Sequence, residues 1–448
     1  MPRPKQPQSY YDDIKDKFQE ERNLRLLYRP PGTDQSTSEF SGDLAKYAVD
    51  PYAEEVPSRE PITDKVEVLF IGGGFSALLT SARLRERGIE SIRIVERGSD
   101  VGGTWYWNRY PGAACDVVSY DYLPLLDELD YVPVNHYSRG PEIFAHCQAI
   151  ADKYNLYELS VFNTTVTETR WDDTDQLWHV STDRGDVMRA QFVICANGTL
   201  AKPKLSTISG MTSFSGHSFH TSRWDYDYTG KNLELLKDKV VGIIGTGASA
   251  VQIVPELAKT AKEVYVFQRT PSSIDIRDDW PTDPNWARKL KPGWQSKRRS
   301  KLFAAVENSL EKRAAKGAVS PEDKLKKQEN ANIDYMMRIH RRIDEIVDNQ
   351  TTADALKPWY MFMCKRPCFH NEYLPSFNLP NVHLVDTEGE GITEISPKGP
   401  VFRGHGYELD LLIYATGFEV QQTGIYNNIV GQRGVNLQDK YSDGIRTL

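Results

Sequence analysis

Two short glycine turns carry the spacing most able to do chemistry in this chain. The first, Gly72-Gly73-Gly74-Phe75-Ser76-Ala77, follows the apolar run VEVLFI and fits G-x-G-x-x-G/A. Glycines there allow a tight turn and let backbone N–H groups approach a pyrophosphate at a helix start, so Gly72, Gly74, Ser76 and Ala77 are expected to bind a dinucleotide. On this reading a side chain at Gly72 would block the pyrophosphate. The next strand ends in Glu96, 24 residues after Gly72, where a carboxylate can accept both hydroxyls of an adenosine ribose. A turn that serves packing alone is the competing reading; the complete order of strand, turn, helix, strand and acid weighs against it.

The second turn, Gly245-Thr246-Gly247-Ala248-Ser249-Ala250, follows VVGII and repeats the fingerprint. Counting 24 residues from Gly245 reaches Arg269, beside Gln268, instead of an acid. A guanidinium at the ribose edge can pair bidentately with a 2'-phosphate, which predicts NADPH in preference to NADH. A surface arginine at a strand end is the alternative.

Between and beyond the fingerprints lie longer blocks. Phe214 to Asp225, FSGHSFHTSRWD, is similar to the F-x-G-x-x-x-H-x-x-x-W-P/D signature of type I Baeyer-Villiger monooxygenases. Gly102-Gly103-Thr104-Trp105-Tyr106-Trp107-Asn108-Arg109-Tyr110-Pro111-Gly112, running to Asp116, resembles that family's G-x-W-x-x-x-x-Y-P-G-x-x-x-D block. Lys365-Arg366-Pro367 and Ala415-Thr416-Gly417-Phe418 resemble two further family segments, in the family's order, so the resemblance covers about Val66 to Leu448.

The resemblance implies an FAD- and NADPH-dependent monooxygenase that inserts one oxygen of O2 beside a ketone carbonyl, giving an ester or lactone, through a C4a-peroxide of FAD. A peroxide anion attacking a carbonyl needs a fixed positive charge in a site shielded from water, and Arg366 is the expected catalytic residue. Asp116 is expected to orient that guanidinium and to count among the cofactor contacts; a plain structural ion pair is the alternative. Lys365 is expected beside Arg269 on the 2'-phosphate as a point charge. Thr104, Trp105 and Trp107 fall where the family's flavin contacts lie, and Tyr122 and Val166 are carried over with them. His220 and Trp224, four apart, would share one face of a helix, yet the signature lies in a connection between domains. Control of domain movement is therefore expected of them, with packing as the alternative.

These residues need an α/β fold with two Rossmann-like dinucleotide-binding units. The apolar runs VEVLFI and VVGII read as buried parallel strands, and helices are expected over 77–88 and 249–261. Residues 1–60 read as a polar extension with one helix over 11–27, followed by Pro30-Pro31-Gly32. The expected division is FAD unit 61–210, NADPH unit 211–369 with a helical insertion at about 276–358, and a return to the FAD unit over 370–448. Family members run on past the segment that 441–448 matches, so that return is expected to be cut short, with part of the substrate pocket missing.

At 448 residues the chain exceeds one hydrophobic core, and 39% hydrophobic residues suffice for several. No run of about 18 apolar residues marks a membrane span, and no apolar stretch follows the basic residues at the amino terminus as in a signal peptide. Five scattered cysteines fit reduced thiols in the cytosol. A net charge of −7 gives no electrostatic case for nucleic acid. The expected partners are a small ketone and O2. Two alternatives stay open: a flavin-containing monooxygenase that oxygenates N or S, and a catalytically silent nucleotide-binding relative. A disulfide reductase is disfavoured, because Cys364 and Cys368 form C-x3-C and not C-x-x-C.

Overall fold

The run KVEVLFI becomes the strand Lys65–Ile71, flanked by parallel strands on both sides, Ile92–Val95 and Val187–Cys195. Its last four residues, Val68 to Ile71, are apolar and buried in succession, as a strand covered on both faces requires, while Lys65 and Glu67 at its start are exposed. The computed structural model of the chain describes residues 6–28, 36–37, 40–53, 56, 58–200, 202–315, 320–420, 428–442 and 444. From edge to edge the first sheet runs Ile429–Val430, Val166–Asp172, Leu177–Thr182, Val187–Cys195, Lys65–Ile71, Ile92–Val95 and Ser160–Val161. Val166–Asp172, Leu177–Thr182 and Val187–Cys195 form an antiparallel meander set into this unit.

The second sheet is parallel throughout. Val240–Ile244 sits between Glu263–Gln268 and Leu411–Tyr414, with Val382–Asp386 and His217–His220 at the edges. Each fingerprint strand leads through its glycines into a helix, Phe75–Arg85 and Ala248–Ala258, and both helices start and stop earlier than expected because Gly74 and Gly247 are already the N-caps.

The boundary expected at 370 falls inside this second sheet. Val382–Asp386 and Leu411–Tyr414 complete the second sheet, and among the described residues the strand Ile429–Val430 rejoins the first, beside Thr169 and Arg170. LLIY is buried at every residue, and its place beside VVGII covers a strand that would otherwise stand at an edge. Pro30-Pro31-Gly32 and the final residues to Leu448, on which the expected shortening rests, lie outside the described residues.

The polar extension is a strap across both units. Its helix, Gln8–Tyr28, buries Tyr11, Ile14 and Phe18 in the core of the second unit. Farther on, Ser36–Thr37 pairs with Leu205–Ser206, and the Asp50 carboxylate accepts from Tyr106 Oη at 2.6 Å in the first unit. The insertion is helical, with Trp294–Ala315, Pro321–Ile346 and Gln350–Ala355, and it reaches the first unit through Gln295, whose Nε2 donates to Leu123 O at 2.6 Å. Among the described residues no helix is long and apolar enough to cross a membrane.

Candidate active site

A cavity of about 490 Å³ opens over the first glycine turn. Gly72, Gly74, Ser76 and Glu96 line its turn end; Thr104, Trp105, Trp107, Tyr122 and Val166 line the remainder. Glu96 is buried, its Oε2 accepting from Gly73 N at 2.6 Å and its Oε1 from Gly98 N at 2.7 Å. Burial pushes the Glu96 pKa up while those two amides pull it down. Each carboxylate oxygen keeps a lone pair for a further donor, as ribose hydroxyls require. Trp105 Nε1 donates to Tyr122 Oη at 2.9 Å, which ties two of the aromatic walls together.

Two details of the first site differ from expectation. Gly72 has φ +105°, and a Cβ there would lie 2.7 Å from the carbonyl oxygen of Ala196. Glycine is therefore demanded by the positive φ and the adjacent strand end, whatever clearance a pyrophosphate also needs. Ala77 lines no part of the cavity; it is wholly buried beside Leu78 and Ala82, where a small residue lets the helix approach the sheet.

The second cavity, about 500 Å³, is lined by Gly245, Thr246, Gly247 and Ala248 together with Gln268, Arg269, Lys365 and Arg366. Gly245 repeats the geometry of Gly72, with φ +114° and a Cβ position 2.5 Å from Ala415 O. Gly247 differs, since a Cβ there would meet nothing within 4 Å. Ser249 and Ala250 do not line this cavity: Ala250 is wholly buried in the core, and Ser249 lies near the Tyr110 hydroxyl, which donates to Gln252 Oε1 at 3.1 Å. Gln268 is also fully buried and turns its amide to Ala355 O at 2.7 Å.

Lys365 and Arg269 meet at this cavity. Burial and the charges of Arg269 and Arg25 push the Lys365 pKa down to about 7. An amine crowded by cations in this way is relieved by an anion, and a phosphate is one. Between the cavities, Arg366 Nη2 donates to Asp116 Oδ2 at 2.9 Å. Asp116 lines neither cavity; its ion pair with Arg366 connects it to the second.

His220 and Trp224 share no helix. His220 ends the strand His217–His220, a short 3-10 turn follows, and both side chains are wholly buried. His220 Nε2 donates to Gly417 O at 3.0 Å, its Nδ1 accepts from Ser222 N at 3.2 Å, and the ring meets Phe418 edge to face. Burial and Arg223 push the His220 pKa down to about 3, so the ring is neutral. Trp224 Nε1 donates to Thr229 Oγ1 at 3.1 Å. The signature thus fastens one strand edge to the Ala415–Phe418 segment.

Three arginines near the site escaped the sequence reading. Arg97 lines the first cavity and lies 4.7 Å over the Trp107 ring; Arg223 lies 4.2 Å over the same ring. Arg277 is buried and donates to Cys115 O at 2.6 Å, next to Asp116. Arg97 could have been found as Arg269 was, by its place at a strand end, whereas nothing local marks Arg223 or Arg277.

Two sheets, one mixed and one parallel, each presenting a glycine turn and a cavity, define a two-dinucleotide oxidoreductase. Residues 69–331 match the family described as pyridine nucleotide-disulphide oxidoreductase. The chain is 46% identical to pentalenolactone D synthase of Streptomyces exfoliatus, over 97% of this chain and 78% of that protein. It is 45% identical to the Baeyer-Villiger monooxygenase ATR8 of Stachybotrys chlorohalonatus, over 97% of this chain and 74% of that one. The solved polycyclic ketone monooxygenase of Thermothelomyces thermophila superposes with a TM-score of 0.88 at 35% identity, covering 98% of this chain and 79% of the other. The chain belongs to the Baeyer-Villiger monooxygenase family.

Proposed function

We propose that the first cavity holds FAD and the second NADPH, and that Arg366, fixed by Asp116, supplies the catalytic charge for inserting oxygen beside a ketone carbonyl. The residues present fit both groups. The first cavity offers a helix N-terminus and a shielded carboxylate at ribose distance from the turn; the second offers a helix N-terminus and Arg269 with Lys365 in place of an acid. The chemistry FAD supplies when bound is acceptance of a hydride from NADPH and activation of O2.

This chain's own residues do the rest. Glu96 orients the adenosine ribose, and Trp105 with Tyr122 shields the cavity from water. Arg269 and Lys365 select the phosphorylated coenzyme. Arg366 stabilises negative charge developing on the substrate carbonyl oxygen, and Asp116 holds the guanidinium in place without spending its remaining donors.

The ion pair between Arg366 and Asp116 is the observation that carries this reading, because it joins a residue of the coenzyme cavity to the motif that lines the flavin cavity. The substrate is a small ketone, with O2 as co-substrate. A cytosolic setting belongs to the same proposal, supported by five widely spaced cysteines. The test is turnover of a panel of cyclic and fused-ring ketones with NADPH under isotopically labelled O2. Ester or lactone carrying one labelled oxygen is the expected product. NADPH consumption with no ester from any ketone would overturn the reading.

A further inference from the structure

The N-terminal helix Gln8–Tyr28 is held along one side. Its buried residues are Tyr11, Ile14 and Phe18, and Phe18 meets Trp359 edge to face at 6.3 Å. Tyr11 Oη donates to Asp334 at 3.2 Å and Lys15 pairs with Glu329 at 2.6 Å, which pins the helix to Pro321–Ile346 of the insertion. Steps of three, four and seven residues stay on one side of a helix. Arg25 is seven beyond Phe18, so it lies about 10 Å farther along that same docked side.

Arg25 lies beside the coenzyme cavity, at a small cavity that shares Arg269 and Thr270 with it. It lines this small cavity of about 130 Å³ together with Arg269, and Arg269 in turn lines the coenzyme cavity with Lys365. The Lys365 ammonium lies 5.5 Å from the Tyr360 ring, and the charge of Arg25 acts on both Lys365 and Tyr360. Three cations from segments far apart in the chain therefore converge at one corner. Glu21, Asp354, Asp386, Glu388 and Lys357 also border the small cavity, while at Lys365, whose pKa burial pushes down to about 7, the charges of Arg269 and Arg25 add to the lowering. Cations held close together in a partly buried place favour an anion that comes among them. The carbonyl end of the helix would repel an anion, which leaves the side chain to attract it.

We infer that Arg25 is a third ligand for the 2'-phosphate of NADPH, and that the N-terminal helix closes that end of the coenzyme cavity. The inference rests on the reading of the second cavity as the NADPH site. It makes the extension a determinant of coenzyme choice as well as a strap.

Equilibrium titration of the full chain with NADP+ and with NAD+ tests it. Arg25→Gln keeps the side-chain length and good helix propensity, and leaves Tyr11, Ile14 and Phe18 to hold the helix. The variant should weaken NADP+ binding by about fivefold to tenfold with NAD+ unchanged, as loss of one charge-assisted phosphate contact predicts. Arg25→Lys should recover most of the NADP+ affinity because it restores the charge. Unchanged NADP+ binding in Arg25→Gln, or equal weakening for both coenzymes, would overturn the inference. Arg269→Ala separates the two levels. If it selectively weakens NADP+ while Arg25→Gln does not, only the role of Arg25 is wrong; if it has no selective effect, the coenzyme reading itself fails and takes the inference with it.

Discussion

The Arg366 guanidinium donates to the Asp116 carboxylate at 2.9 Å across 250 residues of chain. The Arg366 side chain is 63% exposed and that of Asp116 13%. An ion pair with so exposed a partner contributes only about 0–1 kcal/mol to stability. Its value lies in where it holds the charge, at the rim of the coenzyme cavity.

Arg366→Ala should therefore retain flavin and still accept hydride from NADPH, and fail at oxygen insertion. Losing one such charge contact costs about 3 to 4 kcal/mol, a fall of roughly a hundredfold to a thousandfold in ester formation. Asp116→Ala should follow in the same direction but less far. The comparison is ester against hydrogen peroxide per NADPH oxidised; parental ester yield from Arg366→Ala would refute the role.

Lys365 predicts a pH dependence for coenzyme binding. Its pKa is pushed down to about 7 by burial and neighbouring guanidinia, so above that value the unliganded amine is neutral. A phosphate draws the proton back, and NADP+ binding should take up a proton and weaken as pH rises from 7 to 9. NAD+ binding should not change, and Lys365→Met should remove the difference. Parallel titrations of both coenzymes across that range would settle it.

The two glycine turns predict different failures. Gly72→Ala places a Cβ 2.7 Å from Ala196 O at a φ of +105°, so the turn and strand end must shift, and both melting temperature and flavin content should fall. Gly247→Ala meets nothing within 4 Å at an ordinary φ of −77°, so it should fold normally and lose only coenzyme affinity. Glu96→Ala should lower flavin content after gel filtration, because the ribose hydroxyls lose their acceptor. Full flavin retention in both first-turn variants would show that the first cavity had been misassigned.

Acid should destabilise the protein through buried histidines. His220 is pushed down to about 3 and His370 to about 4, both chiefly by burial. Their folded values lie below the unfolded value of about 6.5, so the unfolded state binds more protons in that interval. The stability they contribute is fully present above pH ~6.5 and is lost as pH falls towards 4 and then 3. Thermal melts from pH 8 to pH 4 should show a plateau and then a decline, and His220→Gln should shallow that decline. A melting temperature rising as pH drops through 6 would contradict the assignment.

Beyond the family resemblance that pointed to Arg366 and Asp116, the sequence by itself determined both fingerprint turns, the strands and helices around them, and Glu96 and Arg269 at the second strand ends. These leave local marks. A backbone that must pass close to a strand end needs Gly72 and Gly245, and a buried parallel strand needs successive apolar residues such as Val68 to Ile71. Tertiary structure alone decided which sheet LLIY would join, because an apolar run fits any parallel neighbour equally well in sequence. It also decided that Ala77 and Ala250 turn into the core while Arg97, Arg223 and Arg277 come to the site, since a side chain's direction depends on how its element sits on the sheet. The docked side of the N-terminal helix belongs to the same class. Only its packing on the insertion brings Arg25 to Arg269, more than two hundred residues away in the chain, because charge acts through space and leaves no periodic trace along the sequence.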